Sequence, residues 1–469
     1  MKTILVAGLS AGAVAAVAVG SVTVGQFLSG GGTQPEDVLP ADTIAFARVD
    51  LDPSAGQKIN TARLLRRFPS VEVRGQDDLK ATLGTTLLED NDLGLDYDED
   101  VAPWLGDRAA VAVLPAPGSK DHVAPVVVLQ FSDEAAMTAT LEQAEKKLPG
   151  RQFGWATRDG YVFLAETGAQ ARTATAATQV LADDPEYAAD AAALGVEDQV
   201  AVAWVDAGAA FDTLPAHQRK ELAAQLGSAQ PTGRMVAGVH VEPTYVEMTG
   251  QAHGLQASGV ATAADVPGTG LVGDFPADTA GVLSVTNLGP AAVQLWKQFG
   301  EDPYLDLQGQ AEQMGLDMPD DLGAVLGQEV GVGVLLGGDV NTWDFDAVAR
   351  ARTDRSERAV EVLRMVSGVE PDAVVRPTSD GWVLATSDAL AAEASDGTAG
   401  LGNDPEFNQA VRDARTANAL MYVDLARVVD FFLDPGDEGY ADLKPLAAFG
   451  MSTTGTGNDG EFTARLLLR

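Results

Sequence analysis

Leu39-Pro40-Ala41-Asp42-Thr43 returns as Phe275-Pro276-Ala277-Asp278-Thr279, and further motifs follow both copies in the same order at nearly constant offset. Trp104-Leu105-Gly106-Asp107 is echoed by Val325-Leu326-Gly327-Gln328, Asp159-Gly160-Tyr161-Val162 by Asp380-Gly381-Trp382-Val383, and Asp184-Pro185-Glu186-Tyr187 by Asp404-Pro405-Glu406-Phe407. Trp204-Val205-Asp206 against Tyr422-Val423-Asp424 completes the series. A repeat of this length implies two copies of one folded unit in tandem. The expected layout is a membrane anchor and tether at 1–36, a first repeat domain at 37–254, a linker at 255–273 and a second repeat domain at 274–469.

The elements inside one copy suggest the fold class. Strands are expected at 44–49, 109–114, 124–131, 153–157, 161–165 and 200–205, with a last hairpin around Pro243. Helices are expected at 57–67, at 133–148 behind a Ser132 cap, at 169–181 and at 209–226. Asp159-Gly160 is a two-residue hairpin signal. Adjacent hairpins mixed with helices indicate α+β, two tandem duplicated domains with largely antiparallel sheets packed by helices, rather than a doubly wound parallel sheet.

With 46% hydrophobic residues in 469, the chain has material for more than one core. Its formal charge of −37 removes the basic field that a nucleic-acid surface needs. Cysteine is absent, which excludes disulfides, thiol nucleophiles and cysteine-ligated metals. His122, His217, His240 and His253 form no metal-ligand spacing, and no cofactor is expected.

From Thr3 to Leu28 no residue is charged, and Lys2 supplies a basic flank. As a helix this run would span roughly 35 to 40 Å, enough for a hydrocarbon layer. The expectation is an uncleaved signal anchor with one N-terminal transmembrane helix and the bulk of the chain outside the cell. The competing reading is a signal peptide cut after Gly20.

Several motifs match by spelling alone. Gly8-Leu9-Ser10-Ala11-Gly12 has the GxSxG form without a strand-turn-helix context, and Gly268 to Gly273 has the GxGxxG form within the linker. The run Glu89 to Asp100 is the best metal candidate, through Asp90, Asp92, Asp96, Asp98 and Asp100, although its Gly94 falls one place early for a calcium loop. The repeat then acts as a filter. Asp50, Asp206 and Asp424, each ending a strand, read as helix caps, Asp42 and Asp278 as turn-closing residues, and Asp159 and Asp380 as hairpin residues.

Leu39 to Thr43, Arg48 to Lys58, Phe68-Pro69 and Trp104 to Arg108 together resemble the domain of unknown function 3352 family. The resemblance implies a membrane-anchored envelope protein of high-GC Gram-positive bacteria and transfers no catalytic or ligand residue.

The functional expectation is non-enzymatic binding or scaffolding in the cell envelope. The partners would be the membrane, reached through the N-terminal helix, and an envelope protein or lipid. The alternatives are a hydrolase with carboxylates in the cleft between the repeats, for which Arg48 and Asp52 are candidates because only the first copy has them, and a divalent-cation-binding envelope protein.

Overall fold

The structure is a computed structural model. It describes residues 33–51, 55–69, 96–116, 122–147, 153–225, 232–254, 270–300, 307–337, 345–367, 373–396, 400–456 and 458–469. The chain divides into two compact units, Met1–Gln256 and Ala257–Arg469.

The first unit holds β1 (Ala45–Asp50), β2 (Leu105–Pro115), β3 (Val123–Phe131), β4 (Gly154–Arg158), β5 (Tyr161–Ala165), β6 (Ala201–Asp206), β7 (Arg234–Val241) and β8 (Tyr245–His253). They lie side by side in the order β4-β5-β3-β2-β1-β6-β7-β8. Every pairing along this sheet is antiparallel.

Alternation along the strands divides the side chains between two faces. Phe46, Ala110, Ala112, Val126, Val128, Phe163 and Trp204 form one face, covered by Tyr187 and Ala191 of helix Pro185–Leu194 and by Ala171 and Ala174 of helix Gly168–Thr175. Tyr187 stands edge-on to both Phe46 and Trp204, with ring centroids 5.6 and 5.7 Å apart. Around β3 to β5 the opposite face is covered by Trp104, Tyr97 and by Met137 and Leu141 of helix Glu134–Lys147.

The second unit holds β9 (Thr279–Thr286), β10 (Glu329–Leu335), β11 (Asp346–Arg352), β12 (Val374–Pro377), β13 (Gly381–Ala385), β14 (Ala419–Asp424), β15 (Leu446–Thr456) and β16 (Asp459–Leu468). Their order is β12-β13-β11-β10-β9-β14-β15-β16, again with antiparallel neighbours. Strand for strand in chain order, this is the order found in the first unit.

Core volumes differ in a compensating way. Leu39 of the first unit is matched in sequence by Phe275, while Ala110 and Ala112 give way to Gly331 and Gly333. A Cβ on Gly331 or Gly333 would come within 3.0 or 2.7 Å of the Phe275 ring, so glycine makes the room that the larger ring occupies. On the other face, Trp382 packs with Ala359 and Val360 of helix Ser356–Ser367 and donates its indole N–H to the Val325 carbonyl at 2.9 Å.

Several expectations are corrected locally. The helix expected at 209–226 is two helices, Ala207–Thr213 and Ala216–Gln225, because Leu214 before Pro215 is forced into an extended conformation. The helix expected at 169–181 stops at Thr175. Helix Glu134–Lys147 is capped by Asp133, which accepts from the Ala135 and Ala136 amides, while Ser132 donates its hydroxyl to the Trp104 carbonyl. The turn after Pro40 is closed by Thr43, whose amide and hydroxyl both donate to the Pro40 carbonyl, and Asp42 is exposed.

Asp159 and Gly160 both take positive φ, as a primed hairpin turn requires, whereas Asp380 and Gly381 do not: Asp380 ends a three-residue connection and Gly381 is the first residue of β13. That change shifts the register. Trp382 lies opposite Ala351, the place taken by Val162 opposite Leu129, so the residue matched with Tyr161 by spelling points to the other face of its sheet.

The expected linker 255–273 ends inside folded structure, since Leu271 and Val272 of the short helix Gly270–Asp274 are buried. Among the described residues no helix is long and apolar enough to cross a membrane, and the expected anchor, Thr3 to Leu28, lies outside them.

Candidate functional site

Three arrangements in the described residues bring together chemistry that could serve a function. The first is a buried ion network in each unit. Arg48, offered as an enzyme candidate, is buried in β1 with its Nε 3.2 Å from Glu36 Oε1, and its Nη2 donates to the Val196 carbonyl at 2.9 Å. Tyr187 donates its hydroxyl to the same Glu36 oxygen at 3.1 Å. Burial, then the negative charge of Glu36, raises the pKa of that phenol, so it remains a proton donor.

Asp50, expected as a helix cap, is instead buried beside Arg108, whose Nε is 3.9 Å from Asp50 Oδ2. Asp52 lies outside the described residues.

The second unit solves the same burial problem with other residues. Its counterpart of Arg48, by strand register, is Ser284. Ser284 donates to Glu329 Oε1 at 3.3 Å, the Leu271 amide donates to the same oxygen at 2.9 Å, and Arg352 Nη1 reaches Glu329 Oε2 at 2.7 Å. Arg350 bonds Asp274 at 2.7 Å and lies 3.8 Å from Asp380. Both networks tie the segment ahead of β1 or β9 to the sheet. They explain the charged residues of these strands as structural, each buried charge meeting an opposite one.

Of the metal candidates, Asp90 and Asp92 lie outside the described residues. Asp96 accepts from the Glu99 amide at 2.9 Å, and Asp100 accepts from the Asp96 amide at 2.9 Å, so both carboxylates serve the turn that buries Tyr97 and Val101. Asp98 is an exposed neighbour of Tyr97 and lifts the pKa of that phenol, after burial itself. Among the described residues no group of three metal-ligating side chains occurs. His240 lies within hydrogen-bond distance of Gln57 and of Glu242, and His253 lies 3.9 Å from Asp190.

The second arrangement is an open apolar row. Leu283 in β9 sits directly opposite Val332 in β10 on one side and Met421 in β14 on the other. These three side chains share one face of the sheet and are 52%, 45% and 37% exposed. Val334, two residues along β10 from Val332, extends the row. In the first unit Val111 and Val127 are cross-strand partners and are likewise exposed. Direct cross-strand neighbours make this a contiguous patch rather than scattered surface leucines.

The third is a shallow cavity of about 520 Å3 in the second unit, lined by Leu336, Glu406, Asp424, Ala426, Arg427, Asp430 and Phe431. Asp424 caps helix Leu425–Phe432 by accepting from the Arg427 amide at 2.7 Å, and also accepts from Arg427 Nε at 3.1 Å. Asp206 caps helix Ala207–Thr213 in the same way, as expected. Partial burial, followed by the charges of Asp424 and Asp404, raises the pKa of Glu406.

The repeat filter passed over Glu406 and Asp424 because both recur in the first unit. The apolar row was visible in Val330 to Leu335, where valines recur on a single strand face, but nothing local says whether that face is covered.

The fold and these arrangements define a class: tandem α+β units built on antiparallel sheets, with structural ion networks and open apolar strand faces. Residues 3–161 match the model of a family described as "Protein of unknown function (DUF3352)". No curated protein matches the chain. Among solved structures it is similar to crystal form I of TP0453, at 10% identity over 48% of this chain and 79% of that one with a TM-score of 0.23. Crystal form III of TP0453 gives 7% identity over 47% and 80%, with a TM-score of 0.22. Scores this low carry no argument about fold or function.

Proposed function

We propose that this is a membrane-anchored extracytoplasmic protein that binds or scaffolds a component of the cell envelope, an envelope protein or a lipid, through the open apolar faces of its sheets. The observation that carries the reading is the cross-strand row Met421-Leu283-Val332, three large apolar side chains exposed side by side on regular structure. Leaving such a row in water costs about 25 cal/mol per Å2 that a partner could cover.

The uncharged run from Thr3 to Leu28 supports the anchored part of the reading. We further propose that the two units are tandem copies of one fold, a reading supported by the repeated motifs and by the shared strand order.

The test is photocrosslinking in intact cells with a photoreactive residue at position 283, and separately at the exposed position 461 as a control. A discrete adduct specific to 283 supports the reading. Identical labelling at both positions, together with recovery of the chain in the soluble fraction, would sink it.

A further inference from the structure

The two units furnish one sheet face with different side chains. In the first, Ala47 lies opposite Val111 on one side and Ala203 on the other, and in the second Leu283 lies opposite Val332 and Met421 by the same register. One strand further on, Ala203 faces Ala237, while Met421 faces Met451. Three adjoining alanines are enough to build this part of the sheet in the first unit. The second unit carries Leu283, Met421 and Met451 there, with the first two 52% and 37% exposed. Large apolar side chains that the sheet does without, and that stand in water, point to a partner. Two of the three are methionine, whose flexible thioether fits itself to a docked surface.

The covered part of the same face shows which kind of element fits it. Val330, on the same side of β10 as Val332, and its neighbour Ala349 share a cluster with Val325 of helix Asp320–Leu326 and Val360 of helix Ser356–Ser367. Helix Leu288–Phe299 stands next in this layer: it touches β10, and a Cβ on Gly323 would come within 3.1 Å of its Val293. Its Leu295 is 54% exposed, and beyond it Leu283 and Met421 remain open. Toward the other end of the strands, Leu336 follows Val334 in the alternation and lines a cavity with Phe431, which packs on Phe345 and Phe432.

Charge narrows the choice of partner. The row itself is uncharged, while the unit that carries it has more than twice as many Asp and Glu as Lys and Arg. That field repels an anionic bilayer and a second copy of this chain, and it draws in a basic element.

We propose that the row Met421-Leu283-Val332 seats a basic amphipathic helix of a partner protein, laid alongside helix Leu288–Phe299 as the next member of its layer. The apolar stripe of the incoming helix rests on Leu283 and Met421, Leu295 forms one wall, and its lysines or arginines face outward into the acidic surroundings. The inference rests on the docking role proposed above and names the partner of that same face.

The experiment places the full-length chain in phosphatidylcholine nanodiscs and titrates it against a fluorescent leucine/lysine peptide patterned as an amphipathic helix, read by anisotropy with empty nanodiscs subtracted. Saturable binding is expected, about tenfold weaker in Leu283→Gln and in Met421→Gln, and unchanged in Val111→Gln. A peptide of the same composition with its stripe scrambled should not bind, and neither should a leucine/glutamate peptide of the original pattern. Equal affinity in wild type and both glutamine variants, or equal binding of either control peptide, would overturn the proposal. An adduct at position 283 in cells that proves to be a lipid or a second copy would also overturn it, and would leave the docking role standing. Absence of any position-specific adduct removes the docking role and this inference with it. Leu283 and Met421 lie on different strands, so the comparison does not depend on one variant folding.

Discussion

Arg352 bonds Glu329 at 2.7 Å, and Glu329 is fully buried, so the guanidinium is the group that neutralises a carboxylate with no route to water. Arg352→Ala should therefore cost more than an ordinary surface substitution. Arg352 is itself partly exposed, so we expect roughly 2 kcal/mol, short of the range for fully buried pairs. Urea unfolding of the variant checks this, and Glu329→Gln in the Arg352→Ala background should recover part of the loss. If the double variant is no better than the single one, the buried charge is not what Arg352 serves.

Two carboxylates should show opposite pH dependence. Bonds from Arg358 hold Asp321 below its ordinary value of 3.8, against the effect of burial. A depressed folded pKa gives stability that is present above the unfolded value and lost as pH falls through the folded one. Asp321→Asn should thus destabilise at neutral pH and matter progressively less below about pH 4. Glu406 is raised above 4.5, so its contribution has the reverse sign: it favours folding at low pH and loses this as pH rises through the folded pKa. Glu406→Gln should be neutral or stabilising at pH 7, with the difference vanishing in acid. Thermal melts from pH 3 to 7 decide both, and parallel curves for the two variants would contradict the assignment.

At the turn that opens the first unit, the threonine and not the aspartate closes the bond. Thr43→Val should cost about 1 kcal/mol, the net worth of one buried hydrogen bond. Asp42→Ala should stay within about 0.5 kcal/mol. A larger loss for Asp42→Ala than for Thr43→Val would return the role to the aspartate.

Helix caps give a quieter test of the repeat. Asp184 and Asp404 each accept two amides at the start of helices Pro185–Leu194 and Pro405–Ala410. Alanine at either position should cost about 1 kcal/mol by chemical denaturation, and the matched residues should lose alike.

On the open row, Leu283→Gln should leave the melting temperature nearly unchanged, since the side chain is half exposed, and should reduce binding of an apolar dye such as ANS. A large drop in melting temperature would mean that the face is part of the core.

Much of the fold was legible because it is written in strictly local terms. Asp-Gly at 159 and 160 announced a primed turn, and the alternation in 109–114 and 124–131 announced strands. Pro215 stands inside the expected helix 209–226, and the break there is the one a proline imposes on the residue before it. Ser132 and Asp133 are adjacent capping residues, and only the carbonyl of Trp104, distant in sequence, decides which one is diverted. The register that sends Trp382 to the opposite face from Tyr161 depends on turn length, which motif spelling ignores. The cavity was invisible for a related reason. It brings together Leu336, Glu406, Asp424 and Phe431 from segments far apart in the chain, which no local pattern announces.

The carbonyl of Thr33 accepts from the Tyr161 hydroxyl at 2.6 Å and from Arg108 at 3.1 Å. Tension on the backbone at that residue is thus shared by two strands, β2 and β5, which are separated in the sheet by β3. A load at the amino-terminal side of the first unit would have to break bonds to both strands together before it could unravel either, which gives this end of the unit the mechanics of a rivet rather than of a zip.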